Sequence, residues 1–63
     1  MKLDIKNIKW VASQNDHTIT DEAAKKAHKY AASRIKDMLN NEEITKKFAA
    51  DSYEELLWNY FGK

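Results

Sequence analysis

Apolar positions between Thr20 and Leu39 recur with the period of an α-helix. At about 100° per residue they share an arc of roughly 140°. These positions are Ala24, Ala27, His28, Ala31, Ala32, Ile35, Met38 and Leu39. Thr20 is suited to cap the start, and Asp21 and Glu22 follow in the first turn, where the helix dipole favours anions. The pattern predicts one long helix whose front alanines let another backbone approach closely and whose back half supplies buried area.

Residues 2–12, KLDIKNIKWVA, alternate between polar and apolar positions. The alternation changes phase near Asn7, which is typical of a bulge or of two short strands. The polar cluster at 13–16 predicts a turn, and His17–Ile19 predicts a returning strand, so that a β-hairpin leads into the long helix. Because an isolated hairpin is only marginally stable in water, a single strand that pairs across a dimer is the alternative.

The two asparagines that begin at Asn40 predict the end of the long helix. Asn40 and Glu43 have the spacing of a capping box, with asparagine in place of serine or threonine. They predict a short helix over residues 42–50 that buries Ile44 and Phe48 on one side.

The final segment is rich in aromatic residues and predicts a separate helix. If the short helix continued, Asp51 and Glu55 would fall on its apolar face, so we expect a break between the two. Ser52 and Glu55 supply a capping box for the new start, and Gly62 ends the helix. One arc of about 140° then holds the apolar residues of this helix, namely Tyr53, Leu56, Leu57, Tyr60 and Phe61.

Together these elements predict an α+β fold that is dominated by helices. A short N-terminal β-hairpin or strand packs on the long helix, which is followed by the short helix and the aromatic helix. The 63 residues form one small domain, 1–63, and a chain of this size buries only about 60% of the surface that its unfolded form exposes. The absence of cysteine excludes disulfides, and with two histidines far apart we expect no metal site.

Charge is balanced overall but uneven along the chain. The formal charge of +1 gives no general attraction to nucleic acid or to a membrane. Residues 25–36 carry five basic and no acidic side chains, whereas residues 42–55 carry five acidic and two basic ones. No apolar run approaches the roughly 18 residues of a membrane span, and there is no signal-peptide pattern, so we expect a cytoplasmic protein.

Motifs of enzymatic chemistry are missing from the sequence. One glycine cannot build a phosphate-binding loop, there is no cysteine nucleophile, and no serine has a catalytic context. The neighbouring Asp16 and His17 are more typical of a turn than of an acid–histidine pair. His28 lies on the apolar side of the long helix, where we expect a packed histidine rather than a ligand. We therefore expect neither enzymatic activity nor a cofactor.

The aromatic C-terminus is the strongest indication of function. Trp58 lies outside the apolar arc, whose members already fill the buried side, so the pattern leaves core and interface equally open for it. Trp10 is expected to cover the small core. Tryptophan and tyrosine are enriched at binding hot spots, and an exposed aromatic face on a small domain usually meets a partner. The predicted partner-binding residues are Trp58, Tyr60, Tyr53, Glu54 and Trp10.

The leading hypothesis is a small non-enzymatic binding protein. It would act as an inhibitor or modulator that occupies a surface of a host macromolecule, as bacterial and bacteriophage accessory proteins do. Its expected partner is another protein, and a homodimer remains open.

The alternative is a small dimeric DNA-binding regulator of the ribbon-helix-helix type. One strand and two helices in about 60 residues match that outline, and the N-terminal lysines would lie on the ribbon. Lys25, Lys29 and Lys36 also form a stripe on the long helix, with Lys26 to one side, and lysines on one helix face contact phosphates. An ordinary solvated face, partly paired with Glu22, explains the same stripe.

Overall fold

The computed structural model describes residues 2–62 as a bundle of three α-helices. Helix α1 spans Ile5–Gln14, α2 spans Asp21–Asn40 and α3 spans Ala49–Phe61. A 3-10 turn, Lys46–Phe48, leads directly into α3. No β-strand occurs within the described residues, so the α+β prediction is wrong and the fold is helical.

Helix α1 occupies the segment for which a strand or hairpin was predicted. Asp4 caps it, because its carboxylate accepts a hydrogen bond from the backbone amide of Asn7 at 3.1 Å. The buried residues of α1 are Ile8, Val11 and Ala12. These positions follow the helical period of 3.6 residues. Because that period does not stay in step with an alternation of two, the alternation changes phase near Asn7. The prediction of a hairpin over residues 2–12 and 17–19 is therefore wrong. The ribbon-helix-helix alternative lacks the N-terminal strand that it requires.

The turn predicted at 13–16 is present, but it joins two helices. Asp16 adopts the left-handed conformation with φ 64°. The amide of His17 then donates to the carbonyl of Ala12 at 2.9 Å, and the amide of Asp16 donates to that of Ser13 at 3.1 Å. This pair of bonds is a Schellman motif, which satisfies the last carbonyls of α1 and sends the chain back toward α2.

Helix α2 confirms the prediction of one long helix. The hydroxyl of Thr20 accepts a hydrogen bond from the amide of Ala23 at 3.2 Å, and the helix ends at Asn40. A second Schellman motif follows, in which Glu42 has φ 57° and the amide of Glu43 donates to the carbonyl of Met38 at 2.8 Å. The predicted break is therefore present, but Asn40 belongs to α2 and does not cap a new helix.

The predicted short helix over 42–50 and the break before Ser52 are wrong. The chain from Glu42 to Thr45 is not helical, so Ile44 and Phe48 do not share a helix face. Phe48 is 52% exposed. A break was expected because Asp51 and Glu55 would fall on the same buried face as Phe48. Since Phe48 is not buried, no such conflict arises, and α3 runs from Ala49 through Ser52 without a break. Asp51 lies in the first turn of α3, where the dipole favours a carboxylate.

The core is small and lies between the three helices. Its buried residues are Ile8, Val11 and Ala12 of α1, Ala24, Ala27, Ala31 and Ile35 of α2, and Tyr53, Leu57 and Phe61 of α3. Three alanines on α2 allow its neighbours to approach closely, as the sequence predicted, while Met38 and Leu39 are only partly buried. Within residues 2–62, no helix combines the length and the hydropathy that a membrane crossing requires.

Candidate protein-binding site

Trp10 and Trp58 meet at the line where α1 and α3 pack together. Their ring centroids lie 5.9 Å apart with the ring planes at 83°, an edge-to-face arrangement. Trp10 is 54% exposed and Trp58 is 38% exposed. We call this pair the tryptophan seam. The expectation that Trp10 covers the core does not hold, because Val11 and Ala12 fill the buried side of α1 and Trp10 lies at its edge.

Glu54 lies beside the seam, one turn before Trp58 on α3. Its carboxylate accepts a hydrogen bond from the side-chain amide of Asn7, and both residues are partly buried. One turn further along α1, at Trp10, the contact on α3 is also one turn further along, at Trp58. The two helices therefore run in the same direction. The seam is thus held by one polar and one aromatic contact.

Tyr60 lies on the opposite edge of α3. It is two residues from Trp58, which places it about 160° away around the helix. Its ring lies 5.3 Å from that of Tyr30 on α2, and the two residues are 42% and 45% exposed. The aromatic residues predicted as one binding surface are therefore divided between two edges of α3. Sequence reasoning missed Tyr30, although an aromatic residue outside the apolar arc of α2 was a signal for it.

Tyr53 belongs to the core and is not available to a partner. It is 7% exposed, and its hydroxyl oxygen lies 2.6 Å from Nδ1 of His28. Burial raises the pKa of Tyr53 above its ordinary value, and the negative charges of Glu54 and Asp4 raise it further. His28 is partly buried against Tyr53, so within the described chain it is a packed histidine, as expected from its position on α2.

The charged side chains of helix α3 are all acidic. Asp51, Glu54 and Glu55 are its charged side chains, and it contains no lysine or arginine. The ion pairs found within residues 2–62 are Lys9 with Asp21 and Lys25 with Glu22. Neither of them involves α3. The carboxylates of α3 therefore give the seam a negative border.

The lysine stripe lies on a different surface. Lys25, Lys26, Lys29 and Lys36 are all exposed on α2. Nζ of Lys25 lies 3.6 Å from a carboxylate oxygen of Glu22. This is one of the ion pairs with Glu22 that an ordinary solvated face predicts. On α1, Lys9 pairs with Asp21, and this hydrogen bond and its charge lower the pKa of Asp21 below its ordinary value. With the ribbon absent from residues 2–62, the stripe is what remains of the DNA-binding alternative.

The neighbouring Asp16 and His17 lie in the connection between α1 and α2. His17 packs against Phe61, with ring centroids 6.1 Å apart, so the Asp16–His17 pair belongs to a turn that rests on α3. No group of three or more potential metal-ligating side chains occurs among residues 2–62.

No protein-family model matches this chain, and no curated protein or solved structure shows significant similarity to it.

Proposed function

We propose that this protein is a small, non-enzymatic binding protein of the cytoplasm. It acts as an inhibitor or modulator by occupying the surface of another protein, and the tryptophan seam is its main contact. One observation carries this proposal. Trp10 and Trp58 are the only tryptophans of the chain, and both lie partly exposed and side by side on a domain whose core closes without them.

The exposed area of the seam is large enough to matter for binding. The exposed fractions of Trp10 and Trp58 together amount to nearly one whole side chain, about 200 Å². Covering this area contributes roughly 5 kcal/mol at about 25 cal/mol per Å², before the free-energy costs of association are subtracted. Because the two rings already pack edge to face, little side-chain freedom remains to be lost on binding. This is the arrangement expected of a hot spot.

The test compares protein capture by three forms of the tagged protein. The wild type, the Trp10→Ala variant and the Phe48→Ala variant are each incubated with lysate of the source cells, and bound proteins are quantified by mass spectrometry. Phe48 is a matched control, because it is exposed to the same degree as Trp10 but precedes Trp58 by about 15 Å along the helix axis.

We expect one protein to be retained by the wild type and by Phe48→Ala, and to be lost with Trp10→Ala. The interaction is then rebuilt from the two purified proteins and measured by calorimetry. Circular dichroism of Trp10→Ala must show the helical content and thermal midpoint of a folded domain. Equal capture by all three forms, or equal loss in both variants, contradicts the proposal.

A further inference from the structure

The geometry of the tryptophan seam suits a flat cation. In an edge-to-face pair, the ring that contributes its edge keeps both of its faces clear of the other ring. Trp10 and Trp58 therefore form two walls nearly at right angles, at 83°. A guanidinium or ammonium group placed over the face of an indole is attracted by the electrons of the ring.

Negative charge lies on the same side of α3 as Trp58. On a helical projection, Asp51, Glu54 and Glu55 fall with Trp58 within an arc of about 100°. On α1, Lys9 is next to Trp10 in the sequence but pairs with Asp21 of α2, and Lys6 lies one turn before Trp10. Helix α3 thus places three carboxylates and no basic side chain on the Trp58 side of the seam, so the charge on that side is negative. The helix dipole accounts for Asp51 in the first turn of α3, but it does not account for Glu55.

These observations favour arginine in the partner over lysine. A guanidinium group is planar, so it stacks on an indole face while its edge forms two parallel hydrogen bonds with a carboxylate. Lysine is a strongly hydrated point charge and offers no such plane. We infer that the tryptophan seam binds an arginine-bearing segment of another protein, with the guanidinium stacked on tryptophan and paired with Glu55. This inference rests on the proposed function and adds the chemistry of the partner.

The two tryptophans also report on the site, because the chain has no others. We would titrate the protein with three synthetic peptides in which glycine alternates with arginine, lysine or glutamate, and record tryptophan emission. The arginine peptide should change the emission saturably and bind at least about threefold more tightly than the lysine peptide. The glutamate peptide should have no effect. Equal binding of the arginine and lysine peptides, or binding of the glutamate peptide, overturns the inference.

A pair of charge-matched variants locates the cation. Glu55→Lys and Glu43→Lys change the net charge by the same amount, but Glu43 lies in the connection after α2 and both side chains are exposed. We expect Glu55→Lys to weaken binding of the arginine peptide about threefold to tenfold. Glu43→Lys should change it less than twofold. Equal effects in the two variants show general attraction and overturn the inference.

Two further measurements separate the inference from its alternatives. Glu55→Gln removes the charge with less disturbance, and it should weaken binding in the same direction if Glu55→Lys loses helical content. Sedimentation equilibrium tests whether a second copy supplies the cation, since Lys29 and Arg34 are exposed on the same molecule. Self-association that is abolished by both Glu55→Lys and Arg34→Glu would replace the inferred partner with this chain itself.

The two proposals fail in different ways. If a captured protein is lost with Trp10→Ala but binds the Glu55→Lys and Glu43→Lys variants equally well, the proposed function stands and the arginine inference falls. If the arginine peptide binds at the seam but no captured protein depends on Trp10, the cation site stands as a local property, and the proposed function falls together with the inferred protein partner.

Discussion

Nδ1 of His28 lies 2.6 Å from the hydroxyl oxygen of Tyr53, and this contact joins α2 to α3 inside the bundle. The histidine tautomer sets the direction of this hydrogen bond, and in the tautomer that carries its proton on Nε2 the tyrosine hydroxyl donates to Nδ1. The two rings also pack edge to face, with centroids 5.6 Å apart. This polar contact orients the two helices. Within the described residues, no buried side-chain nitrogen or oxygen lacks a hydrogen-bond partner.

The first prediction concerns Tyr53→Phe. Loss of the hydrogen bond to His28 should lower the free energy of unfolding by about 1 kcal/mol at pH 7. The pKa of Tyr53 is raised in the folded protein, chiefly by burial, above the ordinary 10.0 of the unfolded chain. The unfolded chain therefore releases this proton first, and the stability of the wild type should fall as the pH rises above 10.

Urea unfolding between neutral pH and pH 11 checks this prediction. Both proteins carry the same other titratable groups, so the comparison with Tyr53→Phe isolates the contribution of the one hydroxyl. The difference between the two proteins should be constant below about pH 9 and should shrink above pH 10. Parallel curves over the whole range would show that burial does not raise the pKa of Tyr53 in the folded protein.

The second prediction uses the left-handed residue at the end of α2. Glu42 has φ 57°, a conformation that costs a residue with a side chain about 1 kcal/mol and costs glycine almost nothing. Glu42→Gly should therefore raise the free energy of unfolding by up to about 1 kcal/mol. Glu43→Gly, at the next position and with an ordinary φ, should lower it. Thermal unfolding of both variants is the measurement, and stabilisation by neither would contradict the strain at Glu42.

The third prediction separates the core from the seam. Leu57 is fully buried, so Leu57→Ala should cost about 2–5 kcal/mol. A domain of this length is stable by only roughly 3–9 kcal/mol, so this variant should be largely unfolded near 37 °C. Trp10→Ala should cost much less, because half of that side chain is already in water. Circular dichroism melts should show this order, and a reversed order would place Trp10 in the core.

The fourth prediction tests the cap of α1. Asp4→Ala removes the acceptor for the amide of Asn7 and should cost about 1 kcal/mol. Asp4→Asn keeps an acceptor and should restore most of the stability. Hydrogen exchange measured by NMR should quicken at the Asn7 amide in Asp4→Ala, while the amide of Ala23, which Thr20 caps, should stay protected. Unchanged exchange at Asn7 would argue against this cap.

Local signals were sufficient for α2. Its cap at Thr20, its period and its end near Asn40 can all be read from residues close together in the chain, and a helix of 20 residues offers many repeats of that period. The short α1 offers few repeats, so a pattern with a period of two fitted it nearly as well. Isolated helices shorter than about 12–15 residues are marginal in water, and α1 depends on packing Ile8 and Val11 into the core.

The sequence by itself determined the long helix, its N-terminal cap at Thr20, the packed position of His28 and the aromatic character of the C-terminus. Only the tertiary structure decided which aromatic residues share a surface. Trp10 and Trp58 meet because α1 and α3 pack together and run in the same direction, whereas Tyr60, at the opposite edge of α3, contacts Tyr30 of α2. Such pairings depend on contacts between residues far apart in the chain, and no local periodicity specifies them.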